Sequence, residues 1–189
     1  MDKLLLWVSV LTTVSGVLAQ TDLSKKVFVF PRESSSDHGK DNELLVFKEK
    51  VGLYSLHIGK TKISFKATEA FPVPVHICVS WESSTGIAEL WVNSKPLVKK
   101  GLKQGYSLGT HPKIFLGQEQ DSYGGGFDKN QSFVGEIGEV CMWDSLLSPD
   151  EIRNSCFNSG SHPSPNVLNW KALKYEMKGY VVIKPRVWN

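Results

Sequence analysis

Residues 75–82 read Val-His-Ile-Cys-Val-Ser-Trp-Glu and carry the clearest strand pattern in the chain. Large apolar side chains occupy every second position, at Val75, Ile77, Val79 and Trp81. Cys78 and Ser80 lie between them and therefore face the other way, because successive side chains of a strand point to opposite faces. The stretch predicts a β-strand with one apolar face directed at a core.

Similar runs recur along the chain and are separated by Gly, Pro, Ser and Asn. Short runs rich in β-branched and aromatic residues, bounded by such turn residues, are typical of strands. The predicted strands cover residues 27–30, 44–47, 54–58, 75–81, 87–92, 113–116, 135–143 and 180–183. The sequence therefore predicts an all-β fold in which two sheets pack face to face as a sandwich.

One short helix interrupts the strand pattern near residue 150. Ser148 is a suitable N-cap, Pro149 suits the first helical position, and Glu151 is placed to close a capping box. We expect this helix to run to about Cys156. Ile152 and Cys156 are four residues apart and therefore share a face that can pack on the sandwich.

The N-terminus has the pattern of a targeting segment. Residues 4–18 form an apolar run that follows Lys3 and ends next to Ala19. A short apolar run behind a basic residue, followed by short side chains, is typical of a secretory signal peptide. We therefore expect residues 1–19 to be a leader and residues 20–189 to form one domain. No later apolar run is long enough to cross a bilayer, so a secreted, extracellular protein is expected.

Charge does not indicate a nucleic-acid-binding protein. The chain has 22 Lys and Arg against 19 Asp and Glu, which gives a formal net charge of +3. The two signs are mixed, as in Lys48-Glu49-Lys50, and a mixed pattern is typical of a solvated face rather than a basic stripe.

Residues 116–125 read Leu-Gly-Gln-Glu-Gln-Asp-Ser-Tyr-Gly-Gly and concentrate oxygen donors in a glycine-ended loop. Glu119 and Asp121 are separated by the amide Gln120. Calcium takes about six to eight oxygen ligands and tolerates irregular geometry, so this loop suits a calcium ion. A solvated acidic loop is the alternative that the residues alone leave open.

A second stretch connects the acidic loop to a known family. Residues 76–83 match the pattern H-x-C-x-[ST]-W-x-[ST], and with the acidic loop they make the chain resemble the pentraxins. The resemblance covers nearly all of residues 20–189. It is interrupted between His38 and Gly39, where members of the family carry a further segment. The fold that the resemblance implies is a flattened, lectin-like jelly roll with the helix on one face.

The resemblance also implies a metal centre with two calcium ions per subunit. Its ligands would be Asp41, Asn42, Glu119, the main-chain oxygen of Gln120, Asp121 and Gln131. Glu119 and Asp121 would bridge the ions, because two neighbouring cations need shared carboxylates to offset their repulsion. An apolar ligand pocket is implied at Phe47 and His57. A core role for Phe47 is equally compatible with the sequence.

A calcium ion with open coordination positions accepts oxygens from an anionic partner. The resemblance accordingly implies a calcium-dependent pattern-recognition protein of innate immunity and the acute phase. The implied partners are phosphate headgroups, acidic carbohydrate, amyloid fibrils, chromatin and complement components, and the implied assembly is a homopentamer. A truncated isoform that folds poorly and binds little is the alternative.

An enzyme is a further alternative, because lectin-like sandwiches also include glycosidases with the pattern E-x-D-x-x-E. Here Glu119 and Asp121 are followed by Gly124 where the second glutamate would stand. The paired carboxylates that retaining hydrolysis requires are absent, so a catalytic role is not expected.

The chain has three cysteines, an odd number for a secreted protein. In the family, the cysteine at the position of Cys78 is bridged to a strand that would lie in the missing segment, so Cys78 is expected to be unpaired. The resemblance says nothing of Cys141 and Cys156, and a buried, unpaired thiol suits Cys141. Asn130 begins the sequon Asn-Gln-Ser, a possible glycosylation site.

Overall fold

The computed structural model describes residues 5–7, 23–30, 43–68, 74–109, 113–118, 127–156 and 163–187. Thirteen strands occur in these ranges: Leu5–Trp7 (β1), Lys26–Phe30 (β2), Leu44–Lys50 (β3), Leu53–Ile58 (β4), Thr61–Lys66 (β5), Ile77–Glu82 (β6), Ile87–Val92 (β7), Lys95–Pro96 (β8), Lys100–Gly101 (β9), Gly135–Ile137 (β10), Cys141–Met142 (β11), Leu168–Asn169 (β12) and Val182–Pro185 (β13). The helices are Pro149–Cys156 (α1) and two 3₁₀ turns, Lys129–Gln131 and Trp170–Ala172.

All the strand pairs are antiparallel. One sheet has the order β1-β3-β4-β5, and a second is built on β7, which pairs with β6, β8 and β9. A third sheet has the order β10-β2-β13, and β11 pairs with β12. The all-β prediction is confirmed, since strands dominate the described residues and α1 is a single short helix.

The main core lies between the sheet of β3 to β5 and the sheet built on β7. Alternate residues of both sheets are buried there, among them Val46, Leu56, Phe65, Ala88, Leu90 and Val92. Ile77, Val79 and Trp81 pack against this cluster, as their period-2 spacing predicts. Each large side chain buried in this way contributes about 1.5 to 3 kcal/mol to stability. The apolar faces of β6 and β7 therefore determine which side of their sheet packs against the sheet of β3 to β5.

A second core joins the segment around β2 to the C-terminal part of the described chain. It includes Leu23, Phe28 and Trp170, with Ile183 of β13 packed against it. The rings of Phe28 and Trp170 meet edge to face, with their centroids 5.1 Å apart. The segments around β2 and β13 therefore belong to the same packed unit.

Helix α1 begins as the sequence predicts. Ser148 N–H donates to Oε2 of Glu151 at 2.7 Å, and Glu151 N–H donates to the Ser148 hydroxyl oxygen at 3.3 Å, which together form a capping box. Ile152 is buried. The Arg153 guanidinium lies 5.5 Å from the ring centroid of Trp91, so α1 covers the face of β7 that points away from the main core.

Two strand predictions need correction, and five described strands, β1, β5, β8, β9 and β12, were not predicted. Of residues 113–116 only Leu116 makes a β-bridge, and residues 113–115 do not belong to a strand. Residues 135–143 form two short strands instead of one, since Glu139 has φ of 55°, which an extended ladder does not accommodate. β5, which was not predicted, pairs with β4 over six residues. In the described ranges no helix is long and apolar enough to span a membrane.

Candidate functional site

Most of the predicted metal ligands cannot be placed by the structure. Asp41, Asn42, Glu119, Gln120 and Asp121 lie outside the described residues. Gln131 is described and ends the 3₁₀ turn Lys129–Gln131. The site is therefore built from Gln131 and from the residues that flank the acidic stretch.

The two chain segments that flank residues 119–126 are tied together. The side-chain amide of Gln118 donates to the carbonyl oxygen of Asp128 at 2.7 Å. The Ser132 hydroxyl donates to Oε1 of Gln118 at 2.6 Å, and Phe133 N–H donates to the Gly117 carbonyl oxygen at 2.8 Å. The described residues on either side of positions 119–126 thus meet beside the 3₁₀ turn that carries Gln131.

Asp128 shapes this 3₁₀ turn. Its Oδ1 accepts from the main-chain N–H and from the side-chain amide of Asn130, each at 2.9 Å. Its carbonyl oxygen also accepts from Gln131 N–H at 2.9 Å. A side chain that caps a turn in this way fixes the main chain, and it therefore fixes the direction in which Gln131 leaves it.

Gln131 has a buried side-chain oxygen, Oε1, for which the described residues provide no hydrogen-bond partner. Leaving a buried acceptor unsatisfied costs about 1 to 3 kcal/mol, so such an atom calls for an explanation. An amide oxygen is an ordinary calcium ligand. The chemistry of Gln131 therefore fits a cation bound beside the acidic stretch. No group of three acidic, histidine or cysteine side chains suited to a metal occurs within the described ranges.

The other implied ligand pair, Asp41 and Asn42, directly precedes Glu43, which the structure describes. Oε1 of Glu43 accepts from the Tyr106 hydroxyl at 2.8 Å and from Gly109 N–H at 3.1 Å. The side chain of Glu43 therefore anchors the main chain at the start of β3.

The predicted pocket residues Phe47 and His57 lie on one face of the sheet. Phe47 is opposite Ser55 in the ladder, and His57 follows two positions later on the same strand. Phe47 and Phe115 both pack against buried Leu45. Phe47 is itself half-buried, so it contributes to packing and also presents an apolar surface on this face.

Charged residues flank this face, and sequence reasoning missed them. Lys62 lies opposite His57 in the ladder and forms an ion pair with Glu49. Desolvation by burial raises the pKa of Glu49, but hydrogen bonds from Lys62 and Ser55 and the nearby charges of Lys62 and His57 outweigh it and lower the pKa below its ordinary value. Lys62 lies beside His57 because of the register in which β4 and β5 pair, and no local pattern of the sequence indicates that register.

Two cysteines carry free thiols in the described chain, Cys78 and Cys141. The Cys78 thiol shares its face of the sheet with Trp91, its partner in the ladder. Desolvation, with a smaller effect from the charge of Glu89, raises the pKa of Cys78 to about 11. The side chain of Cys156 lies outside the described residues, and Asn130 is exposed.

The sequence matches known proteins over its full length. It is 58% identical to serum amyloid P-component of Bos taurus and 53% identical to that of Homo sapiens, in alignments that cover 100% of both chains. Each alignment spans 224 positions against the 189 residues of this chain, so 35 positions have no counterpart here.

The fold also matches a solved structure. A native heptameric pentraxin from Limulus polyphemus, described as serum amyloid P-like, superposes with a TM-score of 0.68 at 17% identity, over 96% of this chain and 94% of that one. This match confirms the pentraxin sandwich. Residues 17–185 match the Pentaxin family, and the chain therefore belongs to that family.

Proposed function

We propose that this protein is a secreted, calcium-dependent recognition protein of innate immunity that binds anionic ligands. Support comes from its membership of the Pentaxin family and from relatives that align over their full length. The expected leader, residues 1–19, is part of the proposal. A binding role is preferred to catalysis because the paired carboxylates of a retaining glycosidase are missing.

The buried Oε1 of Gln131 is the observation that best supports a metal centre. Asp41, Asn42, Glu119, the Gln120 carbonyl and Asp121 would supply the remaining oxygens for two calcium ions. The hydrogen bond from Gln118 to Asp128 brings the flanks of the acidic stretch to Gln131. When bound, the ions would present open coordination positions to phosphate or carboxylate oxygens.

Ligand choice would depend on the face that carries Phe47 and His57. Phe47 supplies an apolar surface, and His57 lies on the same face, whereas Lys62 opposite His57 forms an ion pair with Glu49. An anionic headgroup would therefore be bound through its charge at the calcium ions and through its carbon atoms on this face. The proposed partners are phosphate headgroups, acidic carbohydrate, amyloid fibrils, chromatin and complement components.

Retention on immobilised phosphoethanolamine tests the proposal. The secreted chain should be retained in calcium and released by a chelator. Asp121→Ala should abolish retention, because Asp121 would be a ligand shared by both ions. Asp150→Ala is the matched control, since Asp150 is an exposed acid on α1. Retention that does not respond to the chelator would refute the proposal.

Assembly into a homopentamer is a further part of the proposal. Ring assemblies form through repeated head-to-tail contacts and close only when the subunit keeps its shape. Sedimentation of the secreted chain should show a single pentameric species. Monomers alone, or a broad range of aggregates, would reject the pentamer.

A truncated isoform with impaired folding is the second candidate. It is favoured by the 35 alignment positions that this chain lacks and by the free thiol of Cys78. We infer that the missing positions correspond to the interruption between His38 and Gly39. Size-exclusion chromatography with and without calcium separates the candidates, because a poorly folded chain would elute as aggregate under both conditions.

A further inference from the structure

Strand β6 lies at the edge of its sheet. It pairs with β7 on one side, and no strand among the described residues pairs with its other side. Its neighbour β7 is enclosed, by β6 on one side and by β8 and β9 on the other. An edge strand presents a row of main-chain N–H and C=O groups that can pair with a further strand. The open side of β6 is therefore a candidate interaction surface.

The ladder with β7 determines which main-chain groups of β6 point outward. Asn93 N–H donates to the His76 carbonyl oxygen at 2.9 Å, one position before the ladder begins. In an antiparallel ladder, residues that exchange hydrogen bonds with the partner strand alternate with residues that do not. The even-numbered residues after His76 therefore bond to β7. The odd-numbered residues Ile77, Val79 and Trp81 direct their N–H and C=O groups to the open side.

The open side of β6 also lacks the features that usually protect an edge strand. β5, at the edge of the facing sheet, carries Lys62 and Lys66, and the Lys100 ammonium donates to its Ser64 carbonyl oxygen at 2.6 Å. Lysines along a strand hinder the approach of another chain. β6 contains no lysine and no proline, and its one charged residue, Glu82, stands at its end. β6 is therefore the better template for a further strand.

The sequence of β6 is complementary to itself when two copies run antiparallel about Cys78. Directly opposed residues of an antiparallel pair point to the same face of the sheet. With Cys78 opposite Cys78 of a second copy, Ile77 lies opposite Val79, and Val75 lies opposite Trp81. These four apolar residues pack against the main core and are only partly buried. Ile77 and Val79 both direct their main-chain groups outward, so this pair would exchange hydrogen bonds.

We propose that the open side of β6 pairs with the same side of a second copy of this chain, antiparallel and centred on Cys78. A second copy supplies a strand of the same length and the same alternation, so each core-facing residue meets another apolar residue. The contact is isologous, because both copies use the same surface. It does not involve the proposed calcium site, and it differs from the head-to-tail contacts of the proposed ring.

Cys78 provides a direct probe of this contact. It would occupy a position without hydrogen bonds between the copies, where opposed Cα atoms are about 4.5 Å apart. A disulfide spans Cα separations of about 4.4 to 6.8 Å, so the two thiols could be linked there without moving the strands. Oxidised glutathione supplies the oxidant. One Cys78 thiolate displaces a glutathione to form a mixed disulfide, and the second Cys78 thiolate displaces the other glutathione, so two thiols are oxidised and two glutathiones are released as thiols.

The first test incubates the purified secreted chain with oxidised glutathione at alkaline pH, where more of the Cys78 thiol is ionised. Digestion without reduction and mass spectrometry then identify the linked peptides. We expect a link between two copies of the Cys78 peptide to dominate. Cys78→Ser should lose this link but should still double in sedimenting mass as its concentration rises, because the main-chain pairing does not need the thiol. Links of Cys78 mainly to Cys141 or Cys156, or a Cys78→Ser variant that never associates, would overturn the proposal.

A second test examines the register in the Cys78→Ser background. Position 76 falls opposite position 80 of the second copy, so a chain with both His76→Cys and Ser80→Cys should be linked between copies. Ser80→Cys alone is the matched control. The two copies of residue 80 would lie four positions apart along the strands, roughly 13 Å, which is too far for a disulfide. Equal linking of the two variants would reveal unspecific association and would overturn the proposed register.

Val79→Pro should abolish both the association and the Cys78 link. It removes an N–H that points to the open side and keeps the bonds to β7, and proline is tolerated on an edge strand in this orientation. Val98→Pro is the control, at an exposed valine outside the strands, and should associate as the unaltered chain does. A folded Val79→Pro variant that still associates would contradict pairing through β6.

Hydrogen exchange of the unaltered chain tests the same contact without a substitution. The amides of Ile77, Val79 and Trp81 should exchange slowly in the associated protein and quickly after dilution to separate copies. Slow exchange of these amides in the separate copies would mean that a different extended segment covers β6, and it would overturn the pairing of two copies.

Discussion

The indole nitrogen of Trp170 donates a hydrogen bond to the carbonyl oxygen of Leu23 at 3.1 Å, across 147 residues of sequence. Both residues are fully buried. The bond therefore connects the segment before β2 to the 3₁₀ turn after β12, inside the second core. Water cannot replace this donor without entering that core.

Trp170→Phe should lower the free energy of unfolding by roughly 2 to 4 kcal/mol, because it leaves a cavity and removes one buried hydrogen bond to the Leu23 carbonyl oxygen, which keeps only the bond from Lys26 N–H. Trp143→Phe is the matched control. Trp143 also donates its indole N–H to a carbonyl oxygen, that of Pro163 at 2.9 Å, but at an exposed position. Trp143→Phe should lower the free energy of unfolding by only about 1 kcal/mol, and urea titration of both variants measures the two losses. Equal losses for the two variants would contradict the importance of burial at Trp170.

Gln131→Leu should have opposite effects on stability and on calcium binding. Leucine has a similar size and removes the buried Oε1, so the calcium-free protein should gain about 1 kcal/mol of stability. Calcium affinity should fall, because one oxygen ligand is lost. Thermal unfolding in chelator and in calcium measures both effects. Gln104→Leu, at an exposed glutamine, is the control, and a loss of stability in chelator for Gln131→Leu would contradict the account.

Ser148→Ala should destabilise the protein by about 1 kcal/mol, since it removes the N-cap of α1 and leaves Glu151 N–H without its acceptor. Ser145→Ala is the control, because Ser145 is exposed and lies outside the helix. Urea unfolding monitored by circular dichroism measures both. A Ser148→Ala variant as stable as the control would show that the capping box is energetically unimportant.

Cys78 should react slowly with thiol reagents in the folded protein. A pKa of about 11 against an ordinary value of 9.0 leaves about a hundredfold less thiolate at neutral pH. Because the folded pKa is raised, the associated stability is fully present below pH 9 and is lost as the pH rises toward 11. Labelling with a maleimide before and after unfolding measures the difference.

Cys78→Ser addresses the same thiol during secretion. If unpaired Cys78 forms bonds between chains while the protein folds, the serine variant should give more monomer on a nonreducing gel. Mapping that finds Cys78 fully bridged to Cys141 or Cys156 would contradict an unpaired Cys78.

The start of α1 and the core face of β6 could be predicted from residues that are close together in the sequence. The capping box of Ser148 and Glu151 places the start of α1, and the spacing of Ile77, Val79 and Trp81 identifies the core face of β6. Both depend on residues close together in the chain, so no distant contact was needed to predict them.

Elements that depend on distant contacts could not be predicted. β5 carries lysines at Lys62 and Lys66 and looks polar on its own, yet it pairs with β4 throughout. The Lys100 ammonium also donates to the Ser64 carbonyl oxygen from 36 residues away. Within the site, the hydrogen bond from Gln118 to the Asp128 carbonyl oxygen and the contact between Tyr106 and Glu43 likewise arise from tertiary structure. The metal ligands were implied by resemblance, and most lie outside the described residues.

Strand β1 covers one edge of β3 and lies within the segment that is expected to be cleaved. Leu5–Trp7, within the expected leader, pair with Leu45, Val46 and Phe47. Cleavage after residue 19 would separate this strand from the chain and leave one edge of β3 without main-chain partners, and such edges recruit strands from other molecules. The chain with residues 1–19 would therefore cover this edge of β3 with β1, whereas a chain without them would present it to other molecules.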